Sequence, residues 1–156
     1  MDSDLRTHPL AATFNNKLVS HEKGVDNNET GTPAAIPASV TSGQFDLDEG
    51  DRFMLVNRVL PDMTFDGSTA DSPAATLTLN PLENSGSGRY SPASVGGNSS
   101  ATVTRTATAP IEAYTGEVFI RVRGRQMSFK IESTATGVTW KLGATRMDMR
   151  PDGRRG

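Results

Sequence analysis

Cysteine is absent from the 156 residues. That excludes a disulfide framework, a thiolate zinc site and a cysteine nucleophile. Histidine is nearly absent too, with His8 and His21 alone. Hydrophobic residues reach only 35%, against ~45–50% in ordinary globular chains. No apolar run approaches the ~20 residues of a membrane helix, so no membrane insertion is expected. The start, Met1-Asp2-Ser3-Asp4, is acidic and lacks the apolar stretch of a signal peptide. Synthesis in a cytoplasm is the corresponding expectation. The triplets at Asn28 and Asn98 match the glycosylation pattern, but without a secretory route they read as loop composition.

Small polar residues take the place of the missing apolar ones. The chain holds 18 Thr and 14 Ser beside 15 Gly and 9 Pro. This favours strands and turns over a helical bundle. The expected class is mainly β: an antiparallel, meander- or sandwich-like domain with long loops, its thin core completed by a neighbouring chain. Net charge is −2 but unevenly spread. Residues 1–116 carry 7 Lys/Arg against 14 Asp/Glu, and residues 117–156 carry 9 against 4. Such a basic end fits either a polyanion or an acidic neighbour.

Residues 1–35 read as an extended arm or loop, with Leu5, Leu10, Phe14, Leu18 and Val19 as sparse anchors. The antiparallel domain is expected over 36–156. Ile36, Ala38 and Val40 alternate with polar or proline positions, and Phe53–Leu60 reads as a strand covered on both faces for part of its length. Pro61-Asp62 interrupts that ladder and Met63–Phe65 resumes it. Ala75, Leu77 and Leu79 alternate in a half-buried strand. Residues 81–101 read as one long loop, of a length that is functional or held by a partner. Residues 102–108 read as a polar edge strand.

Residues 117–151 carry the strongest pattern. Val118, Ile120 and Val122 alternate with Phe119, Arg121 and Arg123. Met127, Phe129 and Ile131 follow after a Gly124–Gln126 bend, then Val138, Trp140 and Leu142, then Met147 and Met149. Period-two alternation between turns predicts a C-terminal meander of three or four strands. Its apolar face holds Met127, Phe129, Ile131, Trp140 and Leu142. On its other face Lys130, Glu132 and Lys141 are placed to pair across strands. Pro151-Asp152-Gly153 ends it.

Catalytic chemistry has little material. Both histidines lie in the arm, where nothing holds an imidazole against a serine. Asp46, Asp48, Glu49 and Asp51 surround a turn, but Gly50 stands where a calcium loop needs a ligand and no Glu follows at its twelfth position. No catalytic, metal or cofactor-binding residues are assigned. The interface candidates are Arg121, Arg123 and Arg125 together with the tip residues Arg154 and Arg155. They suit phosphates or the carboxylates of a neighbouring strand or subunit. Only Phe119 lies near them in sequence, so base stacking has no support.

Six strings in this chain resemble the C-terminal part of the tail nozzle proteins of short-tailed bacteriophages, also called packaged-DNA stabilisation or tail-hub proteins. They are Ser42-Gly43-Gln44-Phe45-Asp46-Leu47, Gly50-Asp51-Arg52-Phe53-Met54, Arg58-Val59-Leu60-Pro61-Asp62-Met63-Thr64-Phe65, Arg121-Val122-Arg123-Gly124-Arg125-Gln126-Met127, Gly137-Val138-Thr139-Trp140-Lys141-Leu142-Gly143 and Arg150-Pro151-Asp152-Gly153-Arg154-Arg155. The resemblance covers roughly residues 17–155, and the last forty are its most specific part. Members of that family are several times longer, with an extensive β-rich body before this region.

The resemblance implies a non-enzymatic structural protein of the virion tail, without cofactors. It implies a six-fold ring of copies below the portal and adaptor, whose tube holds packaged double-stranded DNA and later conducts it. The partners implied are other tail proteins: adaptor, nozzle body, tail fibre or tailspike. The alternative is a receptor- or glycan-binding or fibre-docking module of the tail tip, which the 81–101 loop would suit. Aromatics discriminate, since sugar sites want exposed Trp or Tyr. A hydrolase used to breach the host is a third possibility, and it lacks a catalytic cluster.

Overall fold

The computed structural model describes residues 8–47, 52–82 and 106–154. Every regular element among them is a β-strand, and every pairing is antiparallel. The mainly β, antiparallel class therefore holds. Two sheets carry the core. One has five strands: β5 (Ala38–Thr41), β6 (Phe45–Asp46), β9 (Ala74–Leu82), β10 (Ala107–Glu112) and β12 (Gln126–Ser133). Its order is β10-β9-β12-β5, with β6 also on β12. The other has three: β7 (Arg52–Leu60), β11 (Val118–Gly124) and β14 (Arg146–Arg154), ordered β11-β7-β14.

The core lies between them. Strand β9 sends Ala75, Leu77 and Leu79 inward, and β12 adds Met127 and Ile131 in register with Pro81 and Leu77. From the facing sheet come Met54, Val56 and Val59 of β7 and Val118, Ile120 and Val122 of β11. Ile111 on β10 closes the end. Alternation decides which side chains enter: β11 reads buried at every second position, with Phe119, Arg121 and Arg123 outward.

Consecutive strands of the C-terminal region do not pair with each other, so the meander over 117–151 is corrected to a sheet crossing. Strand β11 pairs with β7, whereas β12 pairs with β9, β5 and β6. A hairpin of β11 with β12 would put both apolar stripes on one face of one sheet, with nothing to cover them. Crossing at Gly124–Gln126 sets Val118, Ile120 and Val122 against the layer that carries Met127 and Ile131, so each stripe is the other's cover. The crossing is tight. A Cβ on Gly124 would sit 2.9 Å from Pro81 Cβ and 3.0 Å from the Gln126 carbonyl oxygen.

Several boundaries shift for local reasons. Strand β9 runs to Leu82, so Pro81 and Leu82 belong to a strand, not to the loop expected from 81; residues 83–101 of that loop lie outside the described residues, as do the Asp48–Asp51 turn and positions 102–105. Strand β10 continues past 108 through Pro110, which an edge strand tolerates because no ladder bond is required of it there. Strand β14 runs through Pro151-Asp152-Gly153 instead of ending there, with register shifts at Asp148/Met149 and Pro151/Arg154 and Gly153 at φ +77. After Pro61 the chain leaves β7's sheet. Strand β8 (Met63–Thr64) pairs with β13 (Lys141–Leu142) in a separate small ladder, so Met63–Phe65 does not resume the interrupted one. Trp140 is half-buried against the core and donates its indole N–H to Ser133 Oγ at 2.9 Å. The pair expected across strands runs along one strand: Lys130 bonds Glu132, two residues on in β12, while Lys141 lies in β13 opposite Thr64.

The arm is partly ordered by itself. Strands β1 (Leu10–Ala12) and β2 (Leu18–Ser20) form a hairpin, and β3 (Asp26–Asn27) pairs with β4 (Ala34–Ala35). Asn16 at φ +60 closes the first turn, where the Asn16 amide donates to the Thr13 carbonyl. Asp26 ties the arm to the body, its Oδ1 accepting the Gly137 amide at 2.7 Å.

Candidate functional site

Strand β7 presents Met54 to the core and Phe53 to the opposite face of its sheet. Phe53 is nevertheless buried, because Arg123 and Arg125 close over its ring, their guanidinium carbons 4.2 and 5.1 Å from the centroid. Arg123 reaches this position from β11. Its Nε meets Asp152 Oδ2 at 2.6 Å, and its Nη2 donates to the Asp152 carbonyl at 2.9 Å. Strand β14 lies on the far side of β7, so Arg123 crosses over the central strand to reach it. The cluster is thus an aromatic floor, two arginines above it and one carboxylate locking the nearer arginine.

Arg125 stands in the crossing itself. Its amide donates to the Leu82 carbonyl at 2.8 Å. Its Nε and the Oε1 of Gln126 are shut off from solvent without a hydrogen bond. Contact with Phe53 and the backbone bond are what hold it. Arg121 sits two residues before Arg123 on the same outward face of β11, beside exposed Phe119. No hydrogen bond or ion pair engages Arg121 among the described residues. Arg154 takes the last register position of β14, opposite Arg52. Arg155 lies outside the described residues. Arg123 and Arg125 are therefore brought together, Arg121 points into solvent beside them, and Arg154 closes the neighbouring edge. The residue missed by sequence reasoning is Phe53. Its signal was a strand apolar on both faces, but the sequence does not say which residues cover it.

Elsewhere on this outward face carboxylates stand beside arginines. Arg58 pairs with Glu117 at 3.3 Å, and Arg150 lies 3.8 Å from Asp148. These pairs are well exposed and contribute little energy each. What this face can offer to a carboxylate or phosphate is the outward guanidinium of Arg121, since Arg123 is held by Asp152 and Arg123 and Arg125 cover Phe53.

A second junction joins β8 to β13. Asp62, at φ +49, accepts the Gly143 amide on its carbonyl and the Ala144 amide on its carboxylate, both at 2.8 Å. A Cβ at Gly143 would overlap the Asp62 carboxylate, which would have to move aside. Nearby, Gly137 at φ +72 lets its carbonyl accept the Thr69 and Ala70 amides at 2.8 and 3.0 Å.

No protein-family description and no curated protein matches this chain.

Proposed function

We propose that the chain is a structural, non-enzymatic component of a bacteriophage tail: a nozzle or tail-tube subunit that sits below the portal and adaptor and retains and conducts packaged DNA. The observation that carries this reading is where the six resembling strings fall in space. Phe53, Arg123 with Arg125, and Asp152 come from three different strings and form one cluster. Asp62, Met63 and Thr64 come from a fourth string and meet Leu142, Gly143 and Lys141 of a fifth. Gln126 of the fourth-listed arginine string also bonds Asp46 of the first, Nε2 to Oδ2 at 3.1 Å. Strings so distant along the chain would have no reason to share a pattern unless the pattern records these contacts. The residues on which the resemblance rests include those that fix sheet crossings and junctions, which suits a scaffold.

In this reading the copies form a six-fold ring in the virion tail after synthesis in the host cytoplasm. Their neighbours are adaptor, nozzle body, and fibre or tailspike, and double-stranded DNA passes through. The test is the composition of intact particles. Purified virions should contain the chain at six copies each, visible as a ring in the tail by electron microscopy. Absence of the chain from purified particles would overturn the reading.

A second reading, a receptor- or glycan-binding module of the tail tip, draws on one observation. Tyr114 is fully exposed, in a turn fixed by the Thr115 amide on the Glu112 carbonyl at 3.0 Å. Saturable glycan binding lost in Tyr114→Ala would favour it over the tube.

A further inference from the structure

Five strands lie at the margins of the two large sheets among the described residues: β10, β5 and the two-residue β6 of one, β11 and β14 of the other. A free margin exposes a row of unpaired backbone N–H and C=O groups, and proteins ordinarily blunt it with proline, charge or a bulge. Four of the five are blunted, β6 by its two-residue length and the charge of Asp46. Strand β10 carries Pro110, β14 carries Pro151 and two register shifts, and β11 carries Arg121, Arg123 and one shift. Strand β5, Ala38-Ser39-Val40-Thr41, has none of these, and its pairing with β12 is regular over all four residues. Pro37 lies just outside it. No charged residue occurs from Thr30 to Phe45.

The apolar layer also runs off this margin. Val40 stands opposite fully buried Ile131, hence on the core face, yet it is 38% exposed, and Ile36 is 55% exposed. An occupant must be an extended strand, without charge, apolar on the side that continues this layer. The chain itself supplies one. A two-fold axis normal to the sheet sets β5 antiparallel to its own copy and keeps both core faces on the same side. Val40 and Ala38 of each copy then adjoin those of the other. Self-pairing brings no like charges together, whereas the same operation on β11 would set arginine against arginine.

We propose that β5 is a self-association edge, through which two copies of the chain join their five-stranded sheets into one continuous sheet. A four-residue edge falls short of the ~1,200 Å² typical of stable complexes, so the dimer is weak and concentration-dependent. Such an isologous contact is distinct from the head-to-tail contact that closes a ring, and the inference stands apart from the tail reading.

The absence of cysteine makes the test direct. Ser39→Cys, on the outer face of β5, should give a disulfide-linked dimer under mild oxidation, because directly opposed residues of an antiparallel pair fall within disulfide reach. Thr108→Cys, on the opposite margin, should not. By sedimentation the wild-type chain should dimerise as concentration rises. Val40→Lys should stay monomeric with an unchanged far-ultraviolet β spectrum. A folded wild-type chain still monomeric at about 1 mM, dimers that survive Val40→Lys, or equal cross-linking through Thr108→Cys would each overturn the proposal.

Discussion

Asp152 holds Arg123 at two points, through its carboxylate at 2.6 Å and through its backbone carbonyl at 2.9 Å. The arginine is thereby fixed over Phe53, and one side chain spans all three strands of its sheet. Both partners are about half exposed, so screening limits the ion pair to under ~1 kcal/mol. The ring contact adds ~0.5–2 kcal/mol. Arg123→Ala should therefore cost about 1–2 kcal/mol in chemical denaturation, and Arg123→Lys should recover little of it because it loses the planar fork. Asp152→Asn should cost less than Arg123→Ala, since it leaves the carbonyl bond and the ring contact in place. Equal costs for these two variants would show that the pair, not the stacking, secures the cluster. Arg123→Glu should be the worst of the series, because it sets a carboxylate against Asp152.

Gly143 and Gly116 make a matched comparison. Around Gly116 nothing lies within 4 Å of a new Cβ, whereas at Gly143 the new atom would collide with Asp62 Oδ2. Asp62 can retreat only by giving up its bond to the Ala144 amide. Gly143→Ala should cost about 1–3 kcal/mol, and Gly116→Ala should change stability by under ~0.5 kcal/mol. Thermal melts of the two variants measure the difference.

Much of this fold was legible in the sequence because period-two alternation is a local property. The in/out pattern of β11 and β12 follows from Val118, Ile120 and Val122 and from Met127, Phe129 and Ile131 without knowledge of partners. Which strand pairs with which is not local. The Gly124–Gln126 bend reads equally as a hairpin or as a sheet crossing, and only the need to cover two apolar stripes decides between them. The arginine candidates were legible as a row. That two of them are spent on Phe53 was not, because the platform lies some seventy residues earlier in the chain. Asp152 looked like the end of a strand, since Pro-Asp-Gly is a turn signal, and a bulge at positive-φ Gly153 produces the same signature.

Burial ranks the core substitutions. Ile131 is fully buried, and Ile131→Ala should cost about 2–5 kcal/mol. Trp140 is half-buried with one hydrogen bond to Ser133. Trp140→Ala should therefore fall below the ~3–5 kcal/mol of a fully buried aromatic, and Trp140→Phe should lose mainly the ~0.5–1.5 kcal/mol of that bond. Lys141→Ala, exposed in β13, should cost under ~0.5 kcal/mol. Urea midpoints that rank Lys141 with Ile131 would contradict the placement of the two faces.

The arm offers a pH test. Glu29 is held below its ordinary 4.5, first by the hydrogen bond from Asn15, then by Thr13, with Lys17 adding a smaller charge effect. Asn15 Nδ2 donates to Glu29 Oε1 at 2.9 Å, and Lys17 Nζ donates to the Glu29 carbonyl at 2.9 Å. A carboxylate whose pKa is lowered on folding stabilises the folded state above its unfolded pKa. That contribution fades as pH falls through the lowered value. Acidification from neutral pH through the lowered value should therefore loosen the hairpin turn, beginning with the Asn15 side chain. The Lys17 bond goes to a carbonyl that does not titrate, so it should persist. Amide and side-chain NMR shifts of residues 13–17 should follow a single transition below 4.5. In Glu29→Gln that transition should vanish, whereas in Lys17→Met it should remain and move only slightly upward, because Lys17 is the smallest of the three lowering influences. A transition that disappears in Lys17→Met but survives in Glu29→Gln would assign the brace to the wrong group.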